Sequence, residues 1–312
     1  MRKIRIEATV DFAIVETMHG YGGSALSLKI LVGDCRETLK SLPDESVHCV
    51  VTSPPYFGLR NYGEQSRQIG LEDKPQEFVD ALVEVFGEIH RVLRPDGTVW
   101  LNLGDTYGKR KNILGMPWRV AFALQDFGWI LRQDIIWHKP NPVPESVKDR
   151  CTRAHEYIFL LTKAQKYFFD NAAIKEIAVS GATIRDKAGE GYQADYAKGD
   201  RFSKGVRVYG ADGLRNKRDV WSVSVRSYPG AHFATFPPQL IEPCVLAGCP
   251  EGGVVLDPFG GSGTTAGVAL AHGRLAILCE LNPDYAELIT GRVEQIGKIM
   301  GTQIPATSKR TA

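Results

Sequence analysis

Two segments of this sequence combine residue types that could carry chemistry. One of them is the loop Asp257-Pro-Phe-Gly-Gly-Ser-Gly263, which follows a short apolar run and precedes a predicted helix. Glycines allow the backbone to approach a ligand, and the amides that begin a helix attract polar ligand groups. Glu280 ends the next predicted strand, where its carboxylate can accept hydrogen bonds from two ribose hydroxyls. This arrangement favours a nucleotide-type cofactor, and a purely structural turn is the alternative.

The other segment is Thr52-Ser-Pro-Pro-Tyr56, which directly follows the apolar run Val47–Val51. The two prolines cannot continue a sheet ladder, so a predicted strand ends here. Ser53 Oγ and the carbonyl of Pro54 could accept hydrogen bonds from an amino group on a base. Such acceptors favour a pyramidal nitrogen and stabilise the positive charge that develops as it forms a new bond. Tyr56 could stack on a base that has left its helix, and a rigid turn is the alternative.

Both segments lie in a regular alternation of strand and helix patterns. Apolar residues at helical spacing predict a helix over 76–93, which the turn residues Pro95-Asp-Gly97 end. Strands are predicted over 28–32, 47–51, 98–103, 129–137, 155–161, 254–257 and 275–280, and the other helices over 35–42, 116–127, 237–247, 265–272 and 283–300. The alternation predicts an α/β fold with a doubly wound, mostly parallel sheet that has helices on both faces.

Composition and spacing exclude several classes of protein. No cysteine or histidine cluster has metal-ligand spacing, so no metal is expected, and the six cysteines are expected to be buried small hydrophobic side chains in a reducing compartment. The start of the chain lacks a signal-peptide core, and no apolar run reaches the length of a membrane span. The sequence therefore predicts a cytoplasmic protein without a membrane partner.

The net charge of +2 says little about partners, but positive charge is concentrated in two regions. Residues 106–125 contain four basic and no acidic side chains, and residues 175–226 contain eleven basic against seven acidic ones. Local positive charge suits contact with phosphate groups, and a solvated surface of mixed charge is the alternative. Residues 171–230 also interrupt the strand and helix alternation, which predicts an insertion there.

Together, the two segments resemble the amino-methyltransferase family of DNA methyltransferases. That family has a [D/N/S]-P-P-[Y/F] loop at the base site and a D-P-F-x-G-x-G-T loop at S-adenosylmethionine, which Ser53–Tyr56 and Asp257–Thr264 match. The order of the loops is similar to that of the permuted β class, in which the catalytic loop comes first. Segments 91–97, 136–141 and 232–240 are similar to further family segments in the same order. The resemblance covers most of residues 28–296.

The resemblance implies S-adenosylmethionine as the cofactor, double-stranded DNA as the substrate, and a Rossmann-like fold. It implies a catalytic loop formed by Ser53, Pro54, Pro55 and Tyr56. The residues that it implies at the cofactor are Asp34, Phe236, Pro237, Asp257, Pro258, Phe259, Gly261, Ser262, Gly263, Thr264 and Glu280.

Four of the implied residues have a second interpretation. Asp34 either contacts the adenine amino group or only ends a strand with a turn. Trp137 either lines the base pocket with Tyr56 or fills the core. Phe236 and Pro237 either wall the cofactor pocket or mark the start of a helix.

The resemblance also divides the chain. The implied parts are an N-terminal arm (1–26), a catalytic half of the methyltransferase domain (27–170), a target-recognition insertion (171–230), a cofactor-binding half of the same domain (231–300) and a tail (301–312). The insertion favours duplex DNA, because reading a base sequence needs a surface separate from the catalytic loop. A prokaryotic or phage-type, nucleoid-associated enzyme is implied. The sequence leaves the oligomeric state and a restriction partner open, so a homodimer and a cognate endonuclease are the partners to test.

Ser53 is the residue that bears on which base is modified. In the family, Ser-Pro-Pro-Tyr leans toward N4 of cytosine and Asp-Pro-Pro-Tyr toward N6 of adenine. The resemblance therefore favours direct transfer to N4 of a flipped cytosine at a specific site, with N6 of adenine as the alternative. An RNA or protein amide methyltransferase is a second alternative, which the basic insertion disfavours. A catalytically silent DNA-binding module is a third, which the intact loop disfavours.

Overall fold

A computed structural model gives the architecture and describes residues 13–19, 25–59, 68–177, 213–225 and 236–302. The chain divides into two compact units. The larger unit combines Met1–Asp170 with Asp219–Ala312, and the smaller unit is Asn171–Arg218.

The described strands are β1 (Ala13–His19), β2 (Ala25–Val32), β3 (Val47–Thr52), β4 (Leu93–Leu103), β5 (Ile130–His138), β6 (His155–Thr162), β7 (Glu176–Ile177), β8 (Leu214–Arg215), β9 (Val220–Ser222), β10 (Val254–Asp257) and β11 (Leu275–Glu280). The described α-helices are α1 (Cys35–Thr38), α2 (Pro75–Val92), α3 (Met116–Phe127), α4 (Pro238–Gly248), α5 (Thr264–Ala271) and α6 (Pro283–Ile299). Short 3₁₀ helices occur at Leu39–Ser41 and Ala172–Ile174.

The described strands of the larger unit form one sheet in the order β1-β2-β11-β10-β3-β4-β6-β5-β9. All neighbours from β2 to β4 are parallel, and so are β5 and β9. β1 runs antiparallel to β2, and β6 runs antiparallel to both β4 and β5. In the smaller unit, β7 and β8 form an antiparallel pair. The prediction of an α/β fold with a mostly parallel sheet is confirmed.

Side chains on the central strands alternate between two faces of the sheet, as strand geometry requires. Val50 of β3 and Val99 of β4 belong to a core cluster that includes buried residues of α1, α2 and α3. Cys49 and Trp100 point the other way, where the backbone of α4 packs closely. A Cβ added to Gly248 would lie 2.4 Å from Trp100 Nε1 and 3.0 Å from Cys49 Sγ. Helices therefore cover both faces, and the carboxyl ends of β2, β11, β10, β3 and β4 share one edge.

The passage from α2 to β4 differs from the sequence prediction. The helix ends at Val92 and β4 begins at Leu93, so Pro95-Asp-Gly97 lies within a strand rather than in a separate turn. The register between β3 and β4 shifts between the pairs Val47–Leu93 and Cys49–Thr98, so an irregular stretch of β4 accommodates the proline. Regular pairing begins at Thr98, where the strand was predicted to start.

The predicted arm, both predicted halves of the domain, the insertion and the tail each fall partly outside the described residues, because the structure does not describe 1–12, 20–24, 60–67, 178–212, 226–235 and 303–312. Within the predicted arm, β1 forms an edge strand next to β2. The prediction of buried cysteines is correct for five of the six but wrong for Cys151, which is exposed because it lies in the loop between β5 and β6. In the described ranges, no helix is long and apolar enough to cross a membrane, and no cluster of acidic, histidine and cysteine side chains could hold a metal ion.

Candidate active site

Asp257 at the end of β10 links the two chemical segments. Its Oδ1 accepts hydrogen bonds from Thr52 Oγ1 at 2.6 Å and from the Phe259 amide at 3.0 Å, and its Oδ2 accepts one from Thr265 Oγ1 at 2.6 Å. Burial raises the pKa of Asp257 to about 6, while the three hydrogen bonds oppose that shift. The carboxylate thus ties the end of β3 to the glycine loop and to the first turn of α5.

The glycine loop after β10 depends on left-handed backbone at two positions. Gly261 has a φ of 50° and Gly263, which caps α5, has a φ of 85°. A Cβ on Gly263 would also lie 2.8 Å from Ile289 Cγ2, so α6 leaves no room for a side chain there. Gly263 therefore lets the loop pack closely against α6, whereas Gly261 lines the pocket described below.

Glu280 at the end of β11 is the second acidic group of the site. Its Oε2 accepts a hydrogen bond from the Gly261 amide at 2.7 Å, and its Oε1 accepts one from the Asn282 amide at 2.9 Å. Burial raises the pKa of Glu280 to about 7, and these backbone hydrogen bonds act in the opposite direction. Each carboxylate oxygen keeps a further acceptor position, so the group can receive hydroxyl hydrogens from a ligand.

A pocket that is partly open to solvent brings most of the predicted site residues together. The predicted residues that line it are Asp34, Ser53, Pro55, Phe236, Asp257, Pro258, Phe259, Gly261, Ser262, Thr264 and Glu280. The residues that line it without having been predicted are Gly33, Cys35, Gln68, Ile69, Gly260, Cys279, Leu281, Asn282 and Tyr285. Of these, Gly33, Cys35 and Gly260 adjoin predicted residues in sequence, whereas nothing local in the sequence marks Gln68, Ile69 or Tyr285.

Two hydroxyl groups of the glycine loop show that the pocket fits a polar ligand. Ser262 Oγ and Thr264 Oγ1 are buried and have no hydrogen-bond partner among the described residues. An unpaired buried hydroxyl is costly, so the loop is suited to a ligand that supplies the missing hydrogen bonds. Together with Glu280, which lines the same pocket and contacts the glycine loop, these groups fit a molecule with a polar amino-acid end and a ribose.

Asp34 lines the same pocket and also has a structural role. It caps α1 by accepting a hydrogen bond from the Arg36 amide at 3.0 Å, and it forms an ion pair with the Arg36 side chain at 2.6 Å. Phe236 lines the pocket, and the next residue, Pro237, caps α4 instead. Asp34 therefore lies at the pocket and also caps a helix. Phe236 lies at the pocket, whereas Pro237 marks the start of a helix.

The Ser53–Tyr56 loop follows β3 at the edge of this pocket. Ser53 and Pro55 line the pocket, Pro54 is buried, and Tyr56 extends away toward β4 and β6. The Tyr56 hydroxyl donates a hydrogen bond to Glu156 Oε2 at 2.7 Å and contacts Asn102 Oδ1 at 3.1 Å. Neither polar residue was predicted. The signal for both was a polar side chain at the site edge of an otherwise apolar strand.

Trp137 does not line the pocket. Its side chain is buried in β5, and its indole N–H donates a hydrogen bond to the Val223 carbonyl at 2.8 Å. The ammonium group of Lys139 lies 4.3 Å from the centre of the indole ring. Trp137 is thus a buried side chain that supports the neighbouring strand and the lysine, as the core interpretation expects, and its place in a base pocket stays a prediction.

Comparison with known proteins agrees with this geometry. Residues 47–291 match the N6/N4 methyltransferase family described as DNA methylase. The Type II methyltransferase M.Cfr9I of Citrobacter freundii is 42% identical over 290 residues, which cover 84% of this chain and 86% of that protein.

Solved structures give a similar result. A structure from Thermus thermophilus, described as a putative DNA modification methylase complexed with S-adenosylmethionine, is 28% identical with a TM-score of 0.56, covering 86% of this chain and 95% of that one. The PvuII DNA methyltransferase, described as cytosine-N4-specific, shares the fold with a TM-score of 0.64 at 23% identity, covering 88% of this chain and 91% of that one. The family match over most of the chain and the pocket built by Asp257, the glycine loop and Glu280 lead to one conclusion: this protein belongs to the N6/N4 family of DNA methyltransferases, which take their methyl group from S-adenosylmethionine.

Proposed function

We propose that this protein methylates N4 of cytosine at a specific DNA sequence, and that it belongs to the permuted β class. The observation that carries the proposal is that Ser53 and Pro55 line the same pocket as Gly261, Ser262 and Glu280. An amino group brought to the Ser53 loop would therefore lie next to a bound cofactor. The order of the loops along the chain supports the permuted class.

Different residues of the pocket are assigned to different parts of the cofactor. We assign Glu280 to the ribose hydroxyls, and Ser262 Oγ and Thr264 Oγ1 to the polar amino-acid end of the cofactor. Bound S-adenosylmethionine supplies a methyl group attached to a positively charged sulfur. Asp257 has both carboxylate oxygens engaged by protein donors, so its part is to hold the loop in shape.

The Ser53 loop would act on the target amine. The lone pair of an exocyclic amine is delocalised into the ring, so the nitrogen is a poor nucleophile. Ser53 Oγ and the Pro54 carbonyl would each accept one N–H, which favours a pyramidal nitrogen with a localised lone pair. Transfer would then be direct and in line, without a covalent bond to the protein: the cofactor sulfur would leave as a neutral thioether, and the methylated amine would release its extra proton to solvent. Because the base must leave its duplex, Tyr56 would stack on it.

Two positively charged loops support duplex DNA as the substrate. They follow β4 and β5, whose carboxyl ends lie at the same edge of the sheet as the Ser53 loop. Residues 104–115 contain three basic and one acidic side chain, and residues 139–154 contain four basic and two acidic ones. The guanidinium groups of Arg150 and Arg153 lie 4.1 and 5.1 Å from the centre of the Tyr107 ring, so both are held at this surface. Such a surface suits contact with the phosphate backbone.

The base assignment rests on Ser53 and on the family preference that it implies. N6 of adenine is the second candidate, since an oxygen acceptor serves either amine. The solved structure with the same fold is described as cytosine-N4-specific, which is a property of that protein.

The similarity to Type II methyltransferases supports a role in which this protein protects DNA from a cognate restriction endonuclease. Residues 171–230 are proposed to read the target sequence, and the oligomeric state is to be measured by light scattering, with a homodimer as the family expectation.

The test is methylation of unmodified genomic DNA with labelled S-adenosylmethionine, followed by digestion and mass analysis of the nucleosides. We expect N4-methylcytosine. N6-methyladenine would replace the proposed base while keeping the chemistry. Cofactor binding without any transfer to DNA would favour a silent binding module, and transfer to RNA but not to duplex DNA would favour an RNA methyltransferase.

A further inference from the structure

The hydroxyl of Tyr56 ends in a polar cluster to which no role has been assigned. It donates to Glu156 Oε2 at 2.7 Å, and Asn102 Oδ1 lies 3.1 Å away. Glu156 is the second residue of β6 and Lys139 directly follows β5, so both approach the catalytic loop from strands on the far side of β4. The Lys139 ammonium group forms an ion pair with the other carboxylate oxygen of Glu156.

The hydrogen bonds in this cluster have a common direction. A tyrosine hydroxyl has one proton, and its shorter contact is the charge-assisted one with Glu156. Asn102 Nδ2 donates to the Tyr157 carbonyl at 3.0 Å, which fixes the orientation of the amide. The Ser53 hydroxyl donates toward the Tyr56 oxygen over 3.4 Å. Because protons point from Ser53 to Tyr56 and on to Glu156, the lone pairs of Ser53 Oγ are left for an N–H of the substrate.

Lys139 supplies the countercharge that Glu156 needs at this depth. The two side chains are only 18% and 13% exposed. A carboxylate withdrawn from water without a partner is costly, and the ion pair with Lys139 gives Glu156 such a partner. The lysine is itself held against the Trp137 ring at 4.3 Å.

The Tyr56 ring also packs closely against a glycine. A Cβ on Gly104, which follows β4, would lie 2.5 Å from Tyr56 Cε2. The ring therefore rests directly on backbone, while its hydroxyl is fixed by Glu156. These two contacts together determine the plane of the ring.

We propose that Glu156 and Lys139 form a positioning pair that fixes the ring of Tyr56 and the hydroxyl direction of Ser53 for the target base. Neither residue lines the cofactor pocket. The pair acts through Tyr56. Its effect on the rate of methyl transfer rests on the proposed function, but its effect on the position of the Tyr56 ring is independent of that function.

The first experiment measures the tyrosine without any reaction. 3-Fluorotyrosine is placed at position 56 of the full chain, and its ¹⁹F resonance is recorded for the parent protein, for Glu156→Gln and for Lys139→Met. We expect both variants to shift the resonance, because the fluorine lies beside the hydroxyl. Asp96→Asn is the matched control, since it removes a carboxylate from an ion pair with Arg94 at the opposite edge of the sheet. An unchanged resonance in Glu156→Gln would overturn the proposal.

The second experiment is a double-mutant cycle in single-turnover methyl transfer. We expect Glu156→Gln to slow transfer about tenfold with unchanged cofactor affinity. In a Tyr56→Phe background, which keeps the ring and removes the hydroxyl, the same change should cost less than about twofold. Equal losses in both backgrounds would mean that Glu156 does not act through Tyr56, and the proposal would be wrong.

The two experiments separate the proposal from the proposed function. A shifted ¹⁹F resonance in a protein that methylates no nucleic acid would leave the pairing intact and contradict the methyltransferase assignment. Unchanged cofactor binding in Glu156→Gln excludes general unfolding as the cause of a slower reaction. If that variant does not fold, Lys139→Met carries both measurements, and the same coupling to Tyr56→Phe is expected.

Discussion

Thr52 Oγ1 donates a 2.6 Å hydrogen bond to Asp257 Oδ1, across 205 positions of sequence. Thr52 ends the strand before the catalytic loop, and Asp257 ends the strand before the cofactor loop. The two strands are parallel neighbours in the sheet. This buried bond therefore helps to hold the loop proposed to bind the amine beside the pocket proposed for the methyl donor.

Replacing Thr52 should weaken that connection. Thr52→Val keeps the shape of the side chain but leaves Asp257 Oδ1 without one of its donors in a buried site. We expect the free energy of unfolding to fall by about 1–3 kcal/mol and cofactor affinity to decrease. Urea denaturation and calorimetric titration with S-adenosylmethionine measure the two effects. Thr52→Ser keeps the hydroxyl and is the control; equal values for the two variants would show that the bond contributes nothing.

Removing the hydroxyl of Ser53 should affect turnover rather than binding. Ser53→Ala deletes one of the two acceptors proposed for the amine, and loss of one such group costs on the order of 100-fold in rate. Cofactor affinity should change little, because the described hydrogen bond of Ser53 points to Tyr56. Steady-state kinetics and equilibrium binding check both statements. Full activity in the variant would remove the role given to that hydroxyl.

Substituting Gly261 should have the opposite effect. Its φ of 50° is unfavourable for a β-branched side chain, although a Cβ would meet only the Phe259 carbonyl, at 3.9 Å. We expect Gly261→Val to abolish cofactor binding through a changed loop conformation rather than through a clash. Gly291→Val is the control, because a Cβ at that position of α6 meets open space. Cofactor binding by Gly261→Val with the parent affinity would contradict the role of the loop.

Cofactor affinity should depend on pH through Glu280. Its pKa is raised to about 7 by burial, so near pH 6 most of the group is protonated and less able to accept from two hydroxyls. We expect affinity to increase about tenfold between about pH 6 and pH 8 as the carboxylate ionises. Isothermal titration across this range gives the measurement. Glu280→Gln should bind more weakly and lose the pH dependence; a variant that retains the dependence would assign it to another group.

The raised pKa of Glu280 also makes the free energy of unfolding depend on pH, and the number of protons bound in the folded and unfolded states sets the direction of that dependence. A folded-state pKa above the unfolded value means that the native protein binds more protons between about pH 4.5 and pH 7. The contribution of Glu280 to stability is therefore largest at low pH and declines as pH rises through that window. We expect bound cofactor to oppose this trend, because hydroxyl donors would favour the ionised group.

The basic loops should contribute to DNA affinity through phosphate contacts. Removing Arg150 and Arg153 together should weaken binding of all duplex sequences alike, and reduce the slope of log affinity against log salt by about 1–2. Fluorescence anisotropy over a salt series gives this slope. Arg94→Ala, at the opposite edge of the sheet, is the control. A loss restricted to one sequence would instead point to base contact.

The sequence by itself determined the strands and helices around the site, because these follow from local spacing. The strand Val254–Asp257, the helix Met116–Phe127 and the strand Leu275–Glu280 have the predicted bounds. The glycine loop and Glu280 could also be connected with a cofactor from the sequence. Each follows or ends a predicted strand, and the carboxyl ends of adjacent parallel strands meet at one edge of a sheet.

Only the tertiary structure decided which distant residues meet. The strand order brings β10 next to β3, and β6 next to β4, and no local pattern encodes that order. Asp257 therefore contacts Thr52, and Tyr56 contacts Glu156, although neither pair is marked in the sequence. Cys151 is exposed for a related reason, since its surroundings depend on a loop path rather than on residue type. Local chemistry specified the groups of this site, and long-range packing specified their partners.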